Sequence, residues 1–247
     1  MNAYDTAFFD YVNTTARTSA EHILPRLNAE LGPASVLDVG CGRGAWLAVW
    51  RSLGVEEVLG VDGDYVDRNA LLIPSQLFRP IDIRTGFDLG RRFDFVQCLE
   101  VAEHVPASCT DRLLDSLARH GSVIFFSAAP PGQGGHDHVN ERGYDYWRQE
   151  FAQRGYLPLD FVRPKIRGDR RVAPWYRYNP LLFVHSERFA DLSPAIRASR
   201  IAEGATVPDW APLTYRIRRQ IVRRLPVVAM TAIARVKERL IGRRSSP

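Results

Sequence analysis

Three glycines at alternate positions, Gly40, Gly42 and Gly44, follow the short apolar run Val36-Leu37-Asp38-Val39 and lead into Ala45-Trp46-Leu47-Ala48-Val49-Trp50. The first run reads as a buried strand and the segment after the glycines as a helix. Strand, glycine turn and helix in that order reverse the chain sharply. Lacking a Cβ, the glycines let the backbone approach a ligand closely, while the helix start offers unpaired N–H groups to a polar or anionic part of it.

The sequel repeats the alternation. Glu57-Val58-Leu59-Gly60-Val61-Asp62 is a second apolar run closing on a carboxylate 18 positions beyond Gly44. At the carboxyl end of a parallel strand that carboxylate can accept both hydroxyls of a ribose. Further strands are expected at Phe78 to Ile81 before Asp82, at Phe93 to Leu99, at Ser122 to Ser127 and at Leu181 to His185. Residues 2–30, 111–120 and 144–151 read as helices, the second with Leu113, Leu114 and Leu117 on one face. Residues 64–76 read as a helix or helical turn that Pro74 breaks.

At 247 residues, 45% hydrophobic and 25% charged, the chain suits one α/β domain with extensions. No stretch has the length of an apolar membrane span, and Met1-Asn2-Ala3-Tyr4-Asp5 lacks a basic-then-apolar leader pattern, so a cytoplasmic location is expected. Cys41, Cys98 and Cys109 are odd in number and lack metal-motif spacing, which argues against a disulfide framework. The net charge of +5 is unevenly spread: residues 211–247 hold ten basic side chains against Glu238 alone, leaving about −4 on residues 1–210. An acidic body is a poor nucleic-acid surface, so no nucleic-acid partner is expected.

The glycine stretch with Asp38, the acidic Asp62, the pair Asp82-Ile83 and the strand Phe93-Asp94-Phe95-Val96 follow one another in an order that resembles the class I S-adenosylmethionine (SAM)-dependent methyltransferases. Dinucleotide-binding folds compete, but their fingerprint is Gly-x-Gly-x-x-Gly directly after the strand. The resemblance implies a Rossmann-like seven-stranded sheet with helices on both faces over residues 1–210, in which Leu157 to Val162 is an antiparallel sixth strand. It implies SAM as cofactor, held by Asp38, Gly40, Gly42, Gly44, Asp62, Asp82, Ile83 and Leu99. Cap helices within residues 1–31 would place Tyr11 over it. The arginine-rich connection 163–178 is too long for a hairpin turn and is expected to be an insertion that covers the site or builds the substrate pocket.

Glu100-Val101-Ala102-Glu103-His104 ends the fourth strand, and His136-Asp137-His138 follows the fifth. Adjacent parallel strands bring such ends together, and the resulting carboxylates and imidazoles suit Mg²⁺, Mn²⁺, Fe²⁺, Co²⁺ or Zn²⁺. Glu-x-x-Glu-His also occurs in methyltransferases that bind no metal. The pattern resembles the small-RNA 2′-O-methyltransferases and the ubiquinone-pathway O-methyltransferases. That resemblance implies Glu100, Glu103, His104 and His138 as ligands of a divalent metal, Mg²⁺ first with Mn²⁺ or Co²⁺ as alternatives. His136 is then the alternate fourth ligand or a general base, and His104, His136 and His138 form the catalytic set.

The segments 138–147 and 173–183 resemble a bacterial group of methyltransferases associated with polysaccharide biosynthesis. This implies O-methylation of a sugar or oligosaccharide acceptor, methylmannose polysaccharide among the candidates. A catechol or other phenol as acceptor, and a non-catalytic SAM-binding or membrane-recruited scaffold, are the alternatives. Trp147, Trp175, Tyr176 and Tyr178 are either sugar-stacking residues or core. In the tail, Ile217, Ile221 and Leu225 recur every four residues, and Met230, Ile233, Val236 and Leu240 continue beyond Pro226. This basic amphipathic pair of helices, 215–242, suits peripheral membrane contact, packing on its own domain, or a homodimer.

Overall fold

Short runs of valine, leucine, isoleucine and phenylalanine form the seven strands of one sheet: β1 (Ser35–Val39), β2 (Glu57–Asp62), β3 (Phe78–Pro80), β4 (Phe95–Leu99), β5 (Val123–Ser127), β6 (Tyr156–Leu159) and β7 (Leu181–His185). The computed structural model describes residues 6–224, with side chains from residue 13 onward. The Tyr11 side chain and the tail positions Leu225, Met230, Ile233, Val236 and Leu240 lie outside the described residues. The strand order is β3-β2-β1-β4-β5-β7-β6. Neighbours among β1 to β5 are parallel, whereas β7 is antiparallel to both β5 and β6. The reversed strand is therefore β7 and not the expected sixth; β6 runs with the others, and β7 doubles back between it and β5.

Strand residues alternate between two apolar layers. Val36, Phe95, Phe125 and Leu182 face one layer, with Trp46 and Trp50 of α2 (Ala45–Ser52) and Ile23 of α1 (Thr6–Leu31). Leu37, Val96, Phe126 and Phe183 face the other, with Leu113 and Leu117 of α3 (Thr110–His120) and Phe151 of α4 (Tyr144–Ala152). Covered on both faces, the central strands read as near-continuous apolar runs, and this is why they were legible. Asp94 fixes their register at one end, accepting from the Ala34 and Ser35 amides at 2.9 and 3.0 Å.

Three expectations change in detail. The N-terminal segment is one helix, α1, running through Pro25 and packing on α2. Residues 64–76 hold only the short turns Arg68–Ala70 and Ser75–Leu77. Asp67 accepts from the Asn69 amide at 3.0 Å, and Pro74 bars a continuous ladder, so neither turn grows. The 163–178 connection folds as α5 (Arg163–Ile166) and α6 (Pro174–Tyr178). Its buried Arg163 is held by both oxygens of Asp160 at 2.8 Å and donates to the Tyr178 carbonyl at 3.1 Å. Beyond β7 lie α7 (Pro194–Arg197) and α8 (Leu213–Val222). Among the described residues no helix is long and apolar enough to cross a membrane. The three cysteines are free thiols.

Candidate active site

The chain crosses itself closely at the carboxyl ends of β1 and β4. Gly40 has φ +78°, and a Cβ there would stand 2.3 Å from Val101 Cγ2. Two positions on, Gly42 has φ +53° and nothing within 4 Å of where its Cβ would be. The loop thus packs tightly at Gly40 and faces open space at Gly42. Its amide donates to Asp62 Oδ2 at 2.7 Å, and Asp62 Oδ1 accepts from the Gly63 amide at 2.7 Å and from the Tyr65 hydroxyl. Asp62 is buried, and together with the Val61 carbonyl, which accepts from the Gly40 and Cys41 amides at 2.8 and 3.2 Å, it ties the end of β2 to the glycine loop.

Asp38, deeper in the same corner, is 2% exposed, and its Oδ2 has no hydrogen-bond partner. Burial pushes its pKa up to about 7; the Asp62 charge adds to this and the Gln97 amide opposes it. Leu99 is buried at the end of β4 and Ile83 is half-buried. Asp82 is placed differently. It is exposed beyond β3, and Arg84 holds both its oxygens at 2.8 Å, which keeps the carboxyl below its usual range.

The second cluster forms where the loops after β4 and β5 meet. The Val139 and Asn140 amides donate to the Glu103 carbonyl at 2.9 and 3.0 Å, and the Asn140 side chain donates to Thr110 Oγ1 at 3.2 Å. These bonds bring Glu103, His104 and His138 together, with one ligand-type atom of each within 4.8 Å of the others. The His104 and His138 rings meet edge to face at 4.8 Å. Glu103 is 1% exposed with Oε2 unpartnered. Burial drives its pKa well up, helped by the Glu100 charge. His104 has an open edge to solvent, but desolvation of its ring, with His138 alongside, takes its pKa down to about 4.

His138 is oriented from behind. Its Nδ1 lies 2.8 Å from Glu141 Oε1, and Glu141 also accepts from the Gly132 and Gly134 amides at 2.7 and 2.9 Å. Burial alone would raise the Glu141 pKa, but these three hydrogen bonds outweigh it and hold the carboxyl low. An ionised Glu141 can only accept, so Nδ1 carries a proton, and in the neutral ring it is Nε2 that offers the lone pair.

Glu100 is not gathered into the cluster. Its φ of +56° turns the chain just after β4, and its oxygens accept from Gln133 Nε2 at 2.7 Å and Asn179 Nδ2 at 3.0 Å. Asn179 also donates to Gln133 Oε1 at 2.9 Å and accepts from the Tyr144 hydroxyl at 3.0 Å. His136 likewise lies outside, its Nδ1 2.7 Å from Asp137. Glu141, Gln133 and Asn179 were not singled out from the sequence. Only Glu141 carried a readable signal, its position three residues after His138.

The aromatic residues divide in favour of the core. Trp147 is 2% exposed with its ring 5.1 Å from Phe126, and Tyr176 and Tyr178 are buried, Tyr176 lying 5.1 Å from Trp46. Trp175 is partly buried at the same core.

A sheet with its seventh strand reversed between the fifth and sixth, and a glycine cradle after β1 tied to the acid that ends β2, define the class I SAM-dependent methyltransferases. The chain belongs to the methyltransferase-domain family, whose profile matches residues 12–158. Its fold is similar to that of the sugar N-methyltransferase KedS8 from Streptoalloteichus, at 19% identity and TM-score 0.51 over 70% of this chain and 87% of that one. It is also similar to an amino pentose methyltransferase from Micromonospora echinaspora involved in calicheamicin biosynthesis, at 17% identity and TM-score 0.51 over 75% and 99%. A third similar structure is the magnesium protoporphyrin IX methyltransferase of Synechocystis, at 18% identity and TM-score 0.52 over 70% and 84%. No curated protein matches the chain by sequence.

Proposed function

We propose that the chain transfers a methyl group from SAM to a hydroxyl of a sugar or oligosaccharide, with a divalent cation held by Glu103, His104 and His138. The convergence of those three residues carries the reading: a buried carboxylate with an unpartnered oxygen beside two imidazoles fits a cation. Their ligand-type atoms lie within 4.8 Å of one another, wider than the ~4.2 Å that two metal–ligand bonds of about 2.1 Å can span, so a bound cation would draw the three side chains together. With two nitrogens to one oxygen, the donor set suits Mn²⁺, Fe²⁺, Co²⁺ or Zn²⁺ better than the Mg²⁺ first expected. Two of the similar structures, KedS8 and the amino pentose enzyme, are sugar methyltransferases, which supports a sugar acceptor.

SAM would be held at the glycine cradle, where Gly42 leaves open space, Asp62 could accept from its ribose hydroxyls and Asp38 would answer its cationic methionine end. The Tyr65 hydroxyl, which donates to Asp62 Oδ1, would have to give way to a ribose there. A bound cation would hold two vicinal hydroxyls side by side and lower the pKa of the attacking one. His136, outside the cluster but on the same loop as His138, would be the base for a hydroxyl aligned with the sulfonium methyl. Glu141 keeps the His138 ring in one tautomer and orientation. Exchanging Glu141 for glutamine is therefore expected to lower activity by about 10- to 100-fold, with SAM affinity unchanged. Steady-state kinetics with metal titration checks this, and a loss within twofold removes Glu141 from the site.

The experiment that tests the reading is methyl transfer from labelled SAM to mannosides, catechols and amino sugars, with EDTA and with Mn²⁺, Co²⁺ or Mg²⁺ added back. Sugar methylation abolished by EDTA and restored by metal is the expected result. Undiminished activity in EDTA removes the cation and leaves a histidine as simple general base. Transfer to catechols or amines alone overturns the acceptor.

A further inference from the structure

Helix α8 has two unlike faces. On the inner one, Arg218 donates to the Gln133 carbonyl at 3.1 Å, Arg219 is buried and paired with Asp209, and the Tyr215 ring lies 5.8 Å from Tyr178. The approach is close: a Cβ on Gly132 would fall 2.0 Å from the Arg219 carbonyl oxygen. The helix is thus fastened to the loop that carries the histidine cluster, and this part of the tail packs on its own domain.

The outer face is apolar and open. Leu213, Ile217 and Ile221, at helical spacing of four, are 69%, 50% and 60% exposed. At 100° per residue they form one stripe, with Arg224 inside its sector and Arg216 and Arg223 along one edge. Residues 213–224 contain five arginines and no acid. Arg216 lies 3.8 Å from Asp209, but a second copy docked through the same patch would set Arg223 and Arg224 against their own equivalents with no carboxylate on the helix to answer them. A surface that is apolar beneath and negatively charged above satisfies both the stripe and its rim.

We propose that the outer face of α8 docks the protein on an anionic phospholipid surface. The leucine and isoleucines enter the headgroup boundary and the arginines pair with lipid phosphates. Because the inner face grips the Gln133 loop, docking holds that loop, which leads on to His138, about one helix diameter, ~10 Å, from the headgroups. An acceptor carried on a lipid would then be presented to the site. The proposal stands on the helix alone and does not depend on the acceptor or the cation.

The test is co-sedimentation of the full chain with phosphatidylcholine vesicles, with and without phosphatidylglycerol, at low and high salt. Binding to the anionic vesicles only, weakened by salt, is expected, with a loss of tenfold or more in the double variant I217D/I221D and a smaller one in R223Q/R224Q. Both pairs are exposed, so melting temperatures should match the parent; a double variant that melts early is replaced by I217S/I221S. Binding that survives the I217/I221 substitutions is carried elsewhere and overturns the proposal, as does absence of binding. A dimer in sedimentation equilibrium that these substitutions dissolve assigns the face to a second copy instead.

Discussion

Replacing His138 with alanine lowers methyl transfer by about 10²- to 10⁴-fold and leaves SAM affinity within about twofold. The separation of the two effects follows from the layout. His138 meets Glu103 and His104 where the loops after β4 and β5 join, whereas Gly42, Asp38 and Asp62 lie at the ends of β1 and β2. Half-buried and held through Nδ1 by Glu141, the imidazole can be removed without opening either apolar layer. Calorimetric SAM titration beside single-turnover methyl transfer reads both quantities. Activity within tenfold of the parent would show that the cluster is not where the hydroxyl is activated.

The second large effect is one of pH and belongs to Asp38. Its folded pKa of about 7 stands well above the unfolded value of 3.8, so the folded state holds a proton that the unfolded chain releases. The stabilisation this gives is complete below pH 4 and is lost as pH rises to about 7; at 1.36 kcal/mol per unit the loss is about 4 kcal/mol. For a chain of this size that is on the order of 10 °C in melting temperature. Glu100 and Glu103, also raised, add to the slope, and His104, lowered to about 4, opposes it. The difference between the parent and Asp38→Asn isolates the residue: D38N is the more stable protein at pH 8, and the gap closes toward pH 4. SAM, a net cation, pays the ionised Asp38 back, so SAM affinity of the parent rises toward pH 7 and that of D38N is flat. Melting curves that run parallel across pH 4–8 would mean that Asp38 stays ionised in the fold.

What the sequence disclosed and what it withheld divide along physical lines. Strands covered on both faces need continuous apolar runs, so β1, β2, β4, β5 and β7 could be read directly. The direction of β7 could not, because side-chain alternation is the same whichever way a strand runs. Residues 64–76 had helical composition, but Asp67 and Pro74 bend the chain into two separate turns. Of the residues expected together from type and position, Glu103, His104 and His138 do converge. Glu100 had the same credentials, yet a left-handed backbone and two amide donors from distant segments hold it outside the cluster. Gln133 and Asn179 are 46 residues apart and meet only in the fold, so no local pattern could mark them. The stripe in the tail was visible as a period of four, but which way it faced depended on Gly132, a residue without a side chain.

The reversal of β7 has a consequence for how such a protein can diversify. Strands that run with the sheet deliver chain to the reaction edge only as they leave it, and those exits are occupied by cradle and cluster. Because β7 runs the other way, Leu181 pairs with Phe126 at that edge and the chain arrives there as it begins the strand. The segment ending in Asn179 is thus an independent approach to the same chemistry. Its length can change between α5 and α6 as long as Asn179 still meets Glu100 and Gln133 and Tyr176 still packs on Trp46, so this stretch can vary while those anchor points keep their places.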